Sequence, residues 1–319
     1  MAFDWRAATS PLVRELGWCL FSAPIIDTLP PATTTPWPCR EDRGAGEILG
    51  ALDRDPRPLQ RHLASLSDKR LGARFEAMWI FYLASHPQFE LLAHQLPVPR
   101  NGQTLGALDL LFRDHHLGAV VHGEIAVKFY LYHPEQPGTA LEKWIGPNPD
   151  DSLAAKIGHL ANHQLPLSTR DETQRRLQTA GLPSAQLRAT VIKGFLFHPW
   201  RQSIALPAPC NPGHLRGEWL YRRELPALFA DNPRHSWAVL PKQQWLTQVE
   251  NGDSHSGRAR REMAAKISSL LDEQRQPVMF YGHPVARAES IRRFFVAPDG
   301  WPGIRRATTE NLAVDAGHP

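Results

Sequence analysis

The chain has 319 residues, of which 42% are hydrophobic and 21% are charged, and its formal net charge is +4. This length and composition exclude a disordered or fibrous chain, and no stretch approaches the ~20 apolar residues of a membrane span. The charge is compatible with a polyanionic partner, and three cysteines without CxxC spacing indicate neither a disulfide framework nor a zinc knuckle.

Residues 1–67 are predicted to form an N-terminal arm with a lid-like loop. The start of the chain lacks the basic region and apolar core of a secretion signal, so we expect a cytoplasmic protein without membrane contact. An apolar stretch spans residues 12–26. It is followed at residues 29–38 by a segment rich in proline and threonine, which can continue neither a helix nor a sheet ladder.

The pattern changes at residue 68, where a central α/β unit is predicted. Apolar residues at helical spacing indicate a helix that ends at His86, before Pro87. The elements predicted after it are a strand at residues 89–98, two central strands at 104–112 and 120–131, a helix at about 151–164 and a strand at 190–197. This order favours a mixed sheet flanked by helices.

Residues 201–319 are predicted to form an α+β extension that packs on the central unit. The pattern there indicates a charged helix at about 258–274 and short strands near Val278 and Phe294. Three tryptophans lie among apolar neighbours, which favours core packing over base stacking: Trp219, Trp237 and Trp245.

Charged side chains share one face of the two central strands. Alternate residues of a strand point the same way, so Glu124 and Lys128 share a face. A turn centred at residues 114–118 places Asp109 nearly opposite Glu124, with about 5 Å between their Cβ atoms. Two like charges repel there, so we expect a divalent cation or a shared proton between them. The alternative is a neutral or salt-bridged pair in a structural network, for instance with Lys128.

Glu76 lies on the apolar stripe of the helix that begins after residue 68. It shares this stripe with Trp79 and Leu83, and an acid in such a position needs a partner. Glu76 can assist the two strand acids, or it can lie at the edge of the stripe and pair with Arg70 or Arg74 in solvent.

Gln164 ends a row of core-facing residues on the helix at 151–164. It either contributes to the site or is an ordinary glutamine at a helix C-terminus. On the other side of this helix, Lys156, His159 and His163 line up. That face can contact phosphates, or it is simply solvated.

Five runs of the central unit carry a family resemblance. They are Leu71-Gly-Ala-Arg-Phe-Glu76, Thr104-Leu-Gly-Ala-Leu-Asp109, Glu124-Ile-Ala-Val-Lys-Phe-Tyr-Leu131, Gly146-Pro-Asn-Pro149 and His163-Gln164-Leu-Pro166. These runs look like the bacterial domain-of-unknown-function family numbered 1853. The order of elements, with an acid on the second strand and an acid and a lysine on the third, also resembles the core of the PD-(D/E)xK nuclease superfamily over residues 68–198.

The superfamily resemblance implies a restriction-endonuclease-like core at residues 68–200. It implies hydrolysis of phosphodiester bonds in nucleic acid, DNA or RNA, with Mg²⁺ or Mn²⁺ as the cofactor. The implied roles are metal binding by Asp109 and Glu124 with help from Glu76, action on the water or phosphate by Lys128, and orientation of the group by Gln164.

The sequence also departs from the superfamily pattern. The expected acid lies two residues before the lysine, where this chain has Ala126, and Glu124 is roughly 13 Å from Lys128 along an ideal strand. A bulge at Gly123 would shorten this distance. The departure keeps open an alternative function, a catalytically inactive nucleic-acid-binding or protein-interaction module on the same fold.

Overall fold

The computed structural model describes most of the chain, in several separate ranges. They are residues 3–27, 29, 34–35, 43–247, 260–284 and 291–303. Within these ranges, no helix is long and apolar enough to cross a membrane.

Among the described residues, a short 3-10 helix (Trp5–Ala7), three α-helices and one very short strand precede the central unit. The α-helices and the strand are α1 (Pro11–Phe21), β1 (Thr34–Thr35), α2 (Arg43–Arg54) and α3 (Arg57–Ala64). The helices bury apolar side chains such as Leu16, Leu49 and Leu59 in the main core, so residues 1–67 include structural elements of that core. Of the loop predicted at residues 29–38, only 29, 34 and 35 fall within the described residues.

The central unit begins with the predicted helix and three strands, which the structure confirms. They are α4 (Leu71–Ser85), β2 (Phe89–Arg100), β3 (Gln103–Asp114) and β4 (Ala119–Tyr132), followed by the two-residue strand β5 (Trp144–Ile145). Burial is nearly continuous along β4, which lies inside the sheet, whereas the edge strand β2 exposes half of its residues.

The helix predicted at residues 151–164 has three parts. They are α5 (Leu153–His159), a π-helical turn (Leu160–Gln164) and α6 (Leu165–Leu167). Pro166 lacks an N–H and its ring cannot lie against the carbonyl four residues earlier, which explains why regular α-helix is interrupted before it. The elements that follow are α7 (Asp171–Thr179) and β6 (Leu187–Pro199).

The C-terminal part contributes both strands and helices. They are β7 (Leu215–Tyr221), α8 (Leu225–Asp231), β8 (His235–Val239), α9 (Arg260–Gln274), β9 (Val278–Pro284) and β10 (Arg292–Ala297). The helix predicted from residue 258 is α9, although residues 248–259 lie outside the described part of the chain. The prediction that the three tryptophans pack in the core is confirmed, because all three are buried: Trp219, Trp237 and Trp245.

In the part of the chain that the structure describes, one mixed sheet of ten strands joins these elements. Its order is β2-β3-β4-β6-β7-β10-β9-β8, with β1 paired to β6 and β5 paired to β4. The pairs β4 with β6, β6 with β7 and β7 with β10 are parallel, whereas the outer hairpins are antiparallel. The predicted α/β class, a mixed sheet flanked by helices, is therefore confirmed.

Strands β3 and β4 separate in the middle of this sheet. Their register runs from Asp114 with Ala119 to Leu110 with Gly123, and it ends there. Beyond that point β3 remains paired with β2, and β4 remains paired with β6. A gap therefore opens between two strands just where the next residues along them are Asp109 and Glu124.

The structure has no bulge at Gly123 that would shorten the distance between Glu124 and Lys128. The register of β4 with β6 is unbroken from Val121 to Leu131, so this strand is regular around Gly123. The spacing between Glu124 and Lys128 is consequently that of an ordinary strand, and the backbone does not bring the lysine closer to the acid.

Candidate functional site

Asp109 and Glu124 meet where β3 and β4 separate. The backbone N–H of Asp109 donates to Glu124 Oε1 at 3.5 Å, and the N–H of Ile125 donates to Asp109 Oδ2 at 3.2 Å. The two carboxylates thus accept hydrogen bonds from backbone N–H groups at the point where the pairing of β3 with β4 stops. Glu124 is fully buried and Asp109 is half-buried, so the two acids lie together in a place of low solvent access.

Both acids of this pair hold their protons more tightly than free carboxylic acids do. Burial is the main cause that raises the pKa of Asp109 to about 7, and the neighbouring charge of Glu124 is the second. Burial likewise raises the pKa of Glu124 to about 7, against the effect of a hydrogen bond from Asp109. The pair therefore titrates as a unit near neutral pH, with one shared proton.

Two side chains form hydrogen bonds with the Glu124 carboxylate, one with each oxygen. His122 Nε2 lies 2.8 Å from Oε1, and Gln164 Nε2 donates to Oε2 at 2.5 Å. His122 is fully buried, and this burial lowers its pKa to about 4, so the ring is neutral and donates Nε2–H. Both oxygens of Glu124 are oriented before any ligand arrives.

On the other side of the pair, Gln95 of β2 holds Asp109. Gln95 Nε2 donates to Asp109 Oδ1 at 3.0 Å, and Gln95 has a φ of 45°, in the left-handed region that non-glycine residues rarely adopt. Gln95 also donates to Glu76 of α4, whose pKa burial raises. The structure therefore links Glu76 to Asp109 through one amide.

The alternative pairing of Glu76 with an arginine is not observed. Arg74 pairs with Glu15 at 2.5 Å, and Arg70 pairs with Asp68 at 2.6 Å. Glu76 instead lines the same cleft as Asp109, and the charge of Asp109 contributes to its raised pKa.

Lys128 lines the same cleft but makes its salt bridge elsewhere. Its Nζ lies 2.5 Å from Oδ2 of Asp151, just before α5, and Tyr130 donates its hydroxyl to Oδ1 of the same carboxylate at 3.3 Å. A salt bridge from Lys128 to the two strand acids is therefore not observed, whereas the raised pKa values of both acids leave a neutral pair in a structural network open.

Lys156 of α5 is the cation associated with the acid pair. Its Nζ donates to Gln164 Oε1 at 2.9 Å, and the charges of Glu124 and Asp109 favour its protonated form, although burial lowers its pKa overall. The sequence pattern had placed Lys156 on the other side of the helix from Gln164. The π-helical turn changes the rotation between them and brings them together.

A cleft of about 1680 Å³ contains this arrangement. One wall comes from α4 and β4, and the other comes from β8, residues 240–245, α9 and β9. Seven basic residues line it against four acids, namely Lys69, Arg70, Arg74, Lys128, Lys156, Lys242 and Lys266 against Asp68, Glu76, Asp109 and Asp151. Its charge suits an anionic substrate.

The donor groups at this place are two carboxylates. Among the described residues, no group of three or more His, Cys, Asp or Glu side chains is placed to hold a metal ion. Mg²⁺ is commonly held by one or two carboxylates and keeps several waters. Asp109 and Glu124 are neighbouring carboxylates, which is the donor type that such an ion takes.

Three residues of this site had not been identified from the sequence. They are Gln95, His122 and Asp151. The parity of β4 carries a signal for His122, which is two residues before Glu124 and therefore on the same face. No local pattern indicates the left-handed backbone of Gln95 or the pairing of Asp151 with Lys128.

Removing the charge of Asp109 is expected to stabilise the metal-free protein at alkaline pH. An unfolded aspartate has a pKa of about 3.9, whereas that of folded Asp109 is about 7. Between these values the folded protein holds a proton that the unfolded chain has lost, so native stability falls as the pH rises, and the loss is complete above the folded pKa. In Asp109→Asn, an amide that can still donate to Glu124 replaces the titrating group.

Thermal unfolding at pH 5 and pH 8 in EDTA measures this effect. At pH 8 we expect Asp109→Asn to be more stable than the native protein by roughly 1.4 kcal/mol for each unit by which the pKa of Asp109 is higher in the folded than in the unfolded state. At pH 5 this difference in stability should be smaller. Glu47→Gln, on the exposed face of α2, is the matched control. The difference in stability between this variant and the native protein should be the same at pH 5 and pH 8. Equal slopes of stability against pH in the native protein and Asp109→Asn would contradict the shared proton.

Comparison with known proteins yields one match. A model of the family described as "Domain of unknown function (DUF1853)" matches residues 14–296. That range includes every residue of the site described above. No curated protein and no solved structure matches the chain.

Proposed function

The chain belongs to the DUF1853 family, and we propose that it is a divalent-metal-dependent phosphodiesterase that acts on nucleic acid, with a restriction-endonuclease-like core of the PD-(D/E)xK type. The observation that carries the proposal is the Asp109–Glu124 pair, which lies where two strands separate, with Glu124 buried and Asp109 lining a cleft that has more basic than acidic residues. A structural ion pair would instead combine opposite charges.

Electrostatics support a metal at this pair. Two neighbouring carboxylates with raised pKa values are destabilised when both are ionised, and either a proton or a cation relieves that repulsion. Because His122, Gln164 and Gln95 fix the carboxylate oxygens by donating to them, the pair can bind an ion with little reorganisation. Bound Mg²⁺ or Mn²⁺ would supply charge neutralisation and a lower pKa for a coordinated water.

The proposed roles of the side chains follow from these contacts. Asp109 and Glu124 bind the ion, and Glu76 supports Asp109 through Gln95. Gln164 orients Glu124, and one of the two lysines that line the cleft, Lys128 or Lys156, acts on the substrate phosphate or the attacking water. The basic residues of the cleft contact the phosphate backbone without reading sequence.

A second candidate function is a nucleic-acid-binding or protein-interaction module that does not cleave. Ala126 at the expected acid position and the salt bridge between Lys128 and Asp151 favour it, because both remove groups that the superfamily pattern uses near the metal. This candidate needs the cleft but not the metal.

Calorimetric titration with Mn²⁺ separates the two candidates. We expect the native protein to bind Mn²⁺, Asp109→Ala to lose that binding, and Glu47→Gln, whose carboxylate is exposed on α2, to bind as the native protein does. The same proteins are then incubated with Mn²⁺ and single- or double-stranded DNA or RNA. If the native protein binds no Mn²⁺ and cleaves none of the four substrates, the metal-dependent enzyme is wrong and the binding module is the better function.

A further inference from the structure

Lys156 and Lys128 both line the cleft, but they differ in how their charges are compensated. The Lys128 ammonium is paired with the Asp151 carboxylate at 2.5 Å. The contact of the Lys156 ammonium is with a neutral amide oxygen, that of Gln164, at 2.9 Å. An ammonium has three donors, so Lys156 retains both its positive charge and donors for a further anion.

The amide of Gln164 joins Lys156 directly to the acid pair. Because Gln164 Oε1 accepts from Lys156, its Nε2 must point the other way, where it donates to Glu124 at 2.5 Å. Lys156 therefore lies one amide away from a proposed metal ligand and lines the same cleft as Asp109. Lys128 is four residues further along β4 than Glu124, on a strand that has no bulge to bring it nearer.

The helix containing Lys156 is shaped for this contact. Ser152 caps the N-terminus of α5 by accepting from the N–H of Ala155, and Leu153 is buried beneath the helix, so the first turn is fixed on the sheet. The π-helical turn then places Gln164 against Lys156, eight residues earlier. Single π-turns within α-helices occur often at functional sites, which agrees with this placement.

We propose that Lys156, rather than Lys128, is the catalytic lysine, and that its ammonium contacts a non-bridging oxygen of the scissile phosphate. The inference rests on the proposed function. In the hydrolysis a water oxygen bonds to phosphorus as the bond from phosphorus to the leaving oxygen breaks, and the proton that the attacking water loses to bulk solvent is balanced by the one that the leaving oxygen takes from it. Lys156 transfers no proton, and its ammonium stabilises the negative charge that develops on the non-bridging phosphate oxygens in the transition state. Lys128, with its charge compensated by Asp151, contributes at most to substrate binding.

The test compares Lys156→Met with Lys128→Met, since methionine keeps much of the lysine stem and removes only the charge. With Mn²⁺ and the nucleic acid that the native protein cleaves best, Lys156→Met should lower kcat on the order of 10²-fold or more. Lys128→Met should change kcat only a few-fold. Lys156→Arg keeps the charge and should recover part of the lost rate.

Mn²⁺ affinity and thermal stability distinguish catalysis from a structural role. A structural lysine would weaken metal binding or stability together with the rate, whereas a cation that acts on the phosphate leaves Mn²⁺ affinity the same or tighter when it is removed. If Lys128→Met is inactive and Lys156→Met cleaves at the native rate, this inference is wrong while the proposed function stands. A native protein without Mn²⁺ binding or cleavage overturns both.

Discussion

Gly194→Ala is expected to destabilise the protein by about 3 kcal/mol or more, the largest loss of stability that we expect from adding one methyl group. Gly194 of β6 pairs with Lys128 of β4 in the centre of the sheet and has a φ of 133°, which L side chains rarely adopt. A Cβ atom at this position would lie 1.7 Å from the carbonyl oxygen of Lys128. The obstacle is backbone, so no side-chain rotation can relieve the clash.

The consequence would reach the site, because β4 carries Glu124 and Lys128. To admit a methyl group, β4 and β6 must separate locally or Gly194 must change its φ, and either change breaks a parallel ladder that extends from Val121 to Leu131. We therefore expect the loss of stability to be accompanied by weaker Mn²⁺ binding, since the position of Glu124 depends on this ladder.

Urea unfolding of Gly194→Ala and Gly158→Ala measures the effect against a matched control. Gly158 lies in α5 with nothing within 4 Å of an added Cβ, and its substitution should stabilise the helix by roughly 0.5–1 kcal/mol. The two variants should shift the unfolding midpoint in opposite directions at similar m-values. An unchanged unfolding midpoint for Gly194→Ala would contradict this prediction, because it would show that β4 and β6 accommodate the added methyl group without loss of stability.

The acid pair was predictable because it depends only on short-range patterns. The alternation of β3 and β4 and a tight turn between them place Asp109 opposite Glu124, whatever the rest of the chain does. Periodicity also indicated α4, on which Glu76 lies near the pair through Gln95. Strand alternation and helical periodicity are sufficient to predict a contact when the two elements are regular and adjacent along the chain.

The cation of the site was not predictable from the same rules. Helical periodicity of 3.6 separates Lys156 from Gln164, and only the π-helical turn unites them. Pro166 indicates that the regular helix must be disturbed, but not whether it kinks, stops or widens. The partner of Lys128 was equally hidden, because Asp151 is 23 residues away along the chain.

The two helices at residues 43–64 were not predicted from the sequence, for a different reason. Their apolar residues do recur at helical spacing, as Leu49, Leu52, Leu59 and Leu63 are all buried. The neighbouring proline, glycine and arginine residues obscure this pattern in the sequence. Packing against the main core, rather than intrinsic propensity, decides that these short segments are helical.

Glu124→Gln is expected to give the largest loss of activity, about 10³-fold or more in cleavage, together with loss of Mn²⁺ binding. The substitution is nearly isosteric, but a neutral amide is a poor ligand for a hard cation. Its new NH₂ group would also face donors, because Glu124 accepts from His122, Gln164 and the backbone of Asp109. Gln164 can accommodate this only by turning its amide, which removes the acceptor of Lys156.

Glu76→Gln provides the matched comparison. It makes the same change from carboxylate to amide, but at a residue that reaches the proposed ion only through Gln95 and Asp109. Glu76 acts on Asp109 through Gln95, so its substitution should reduce cleavage by only about 10- to 100-fold and leave Mn²⁺ binding measurable. Both variants are compared at equal folded fraction by thermal unfolding, with calorimetry for Mn²⁺ and initial rates for cleavage. If Glu76→Gln abolished Mn²⁺ binding while Glu124→Gln retained it, the ion would lie on the α4 side of Asp109, and Glu124 would instead be the acid that holds Gln164 and His122 in place.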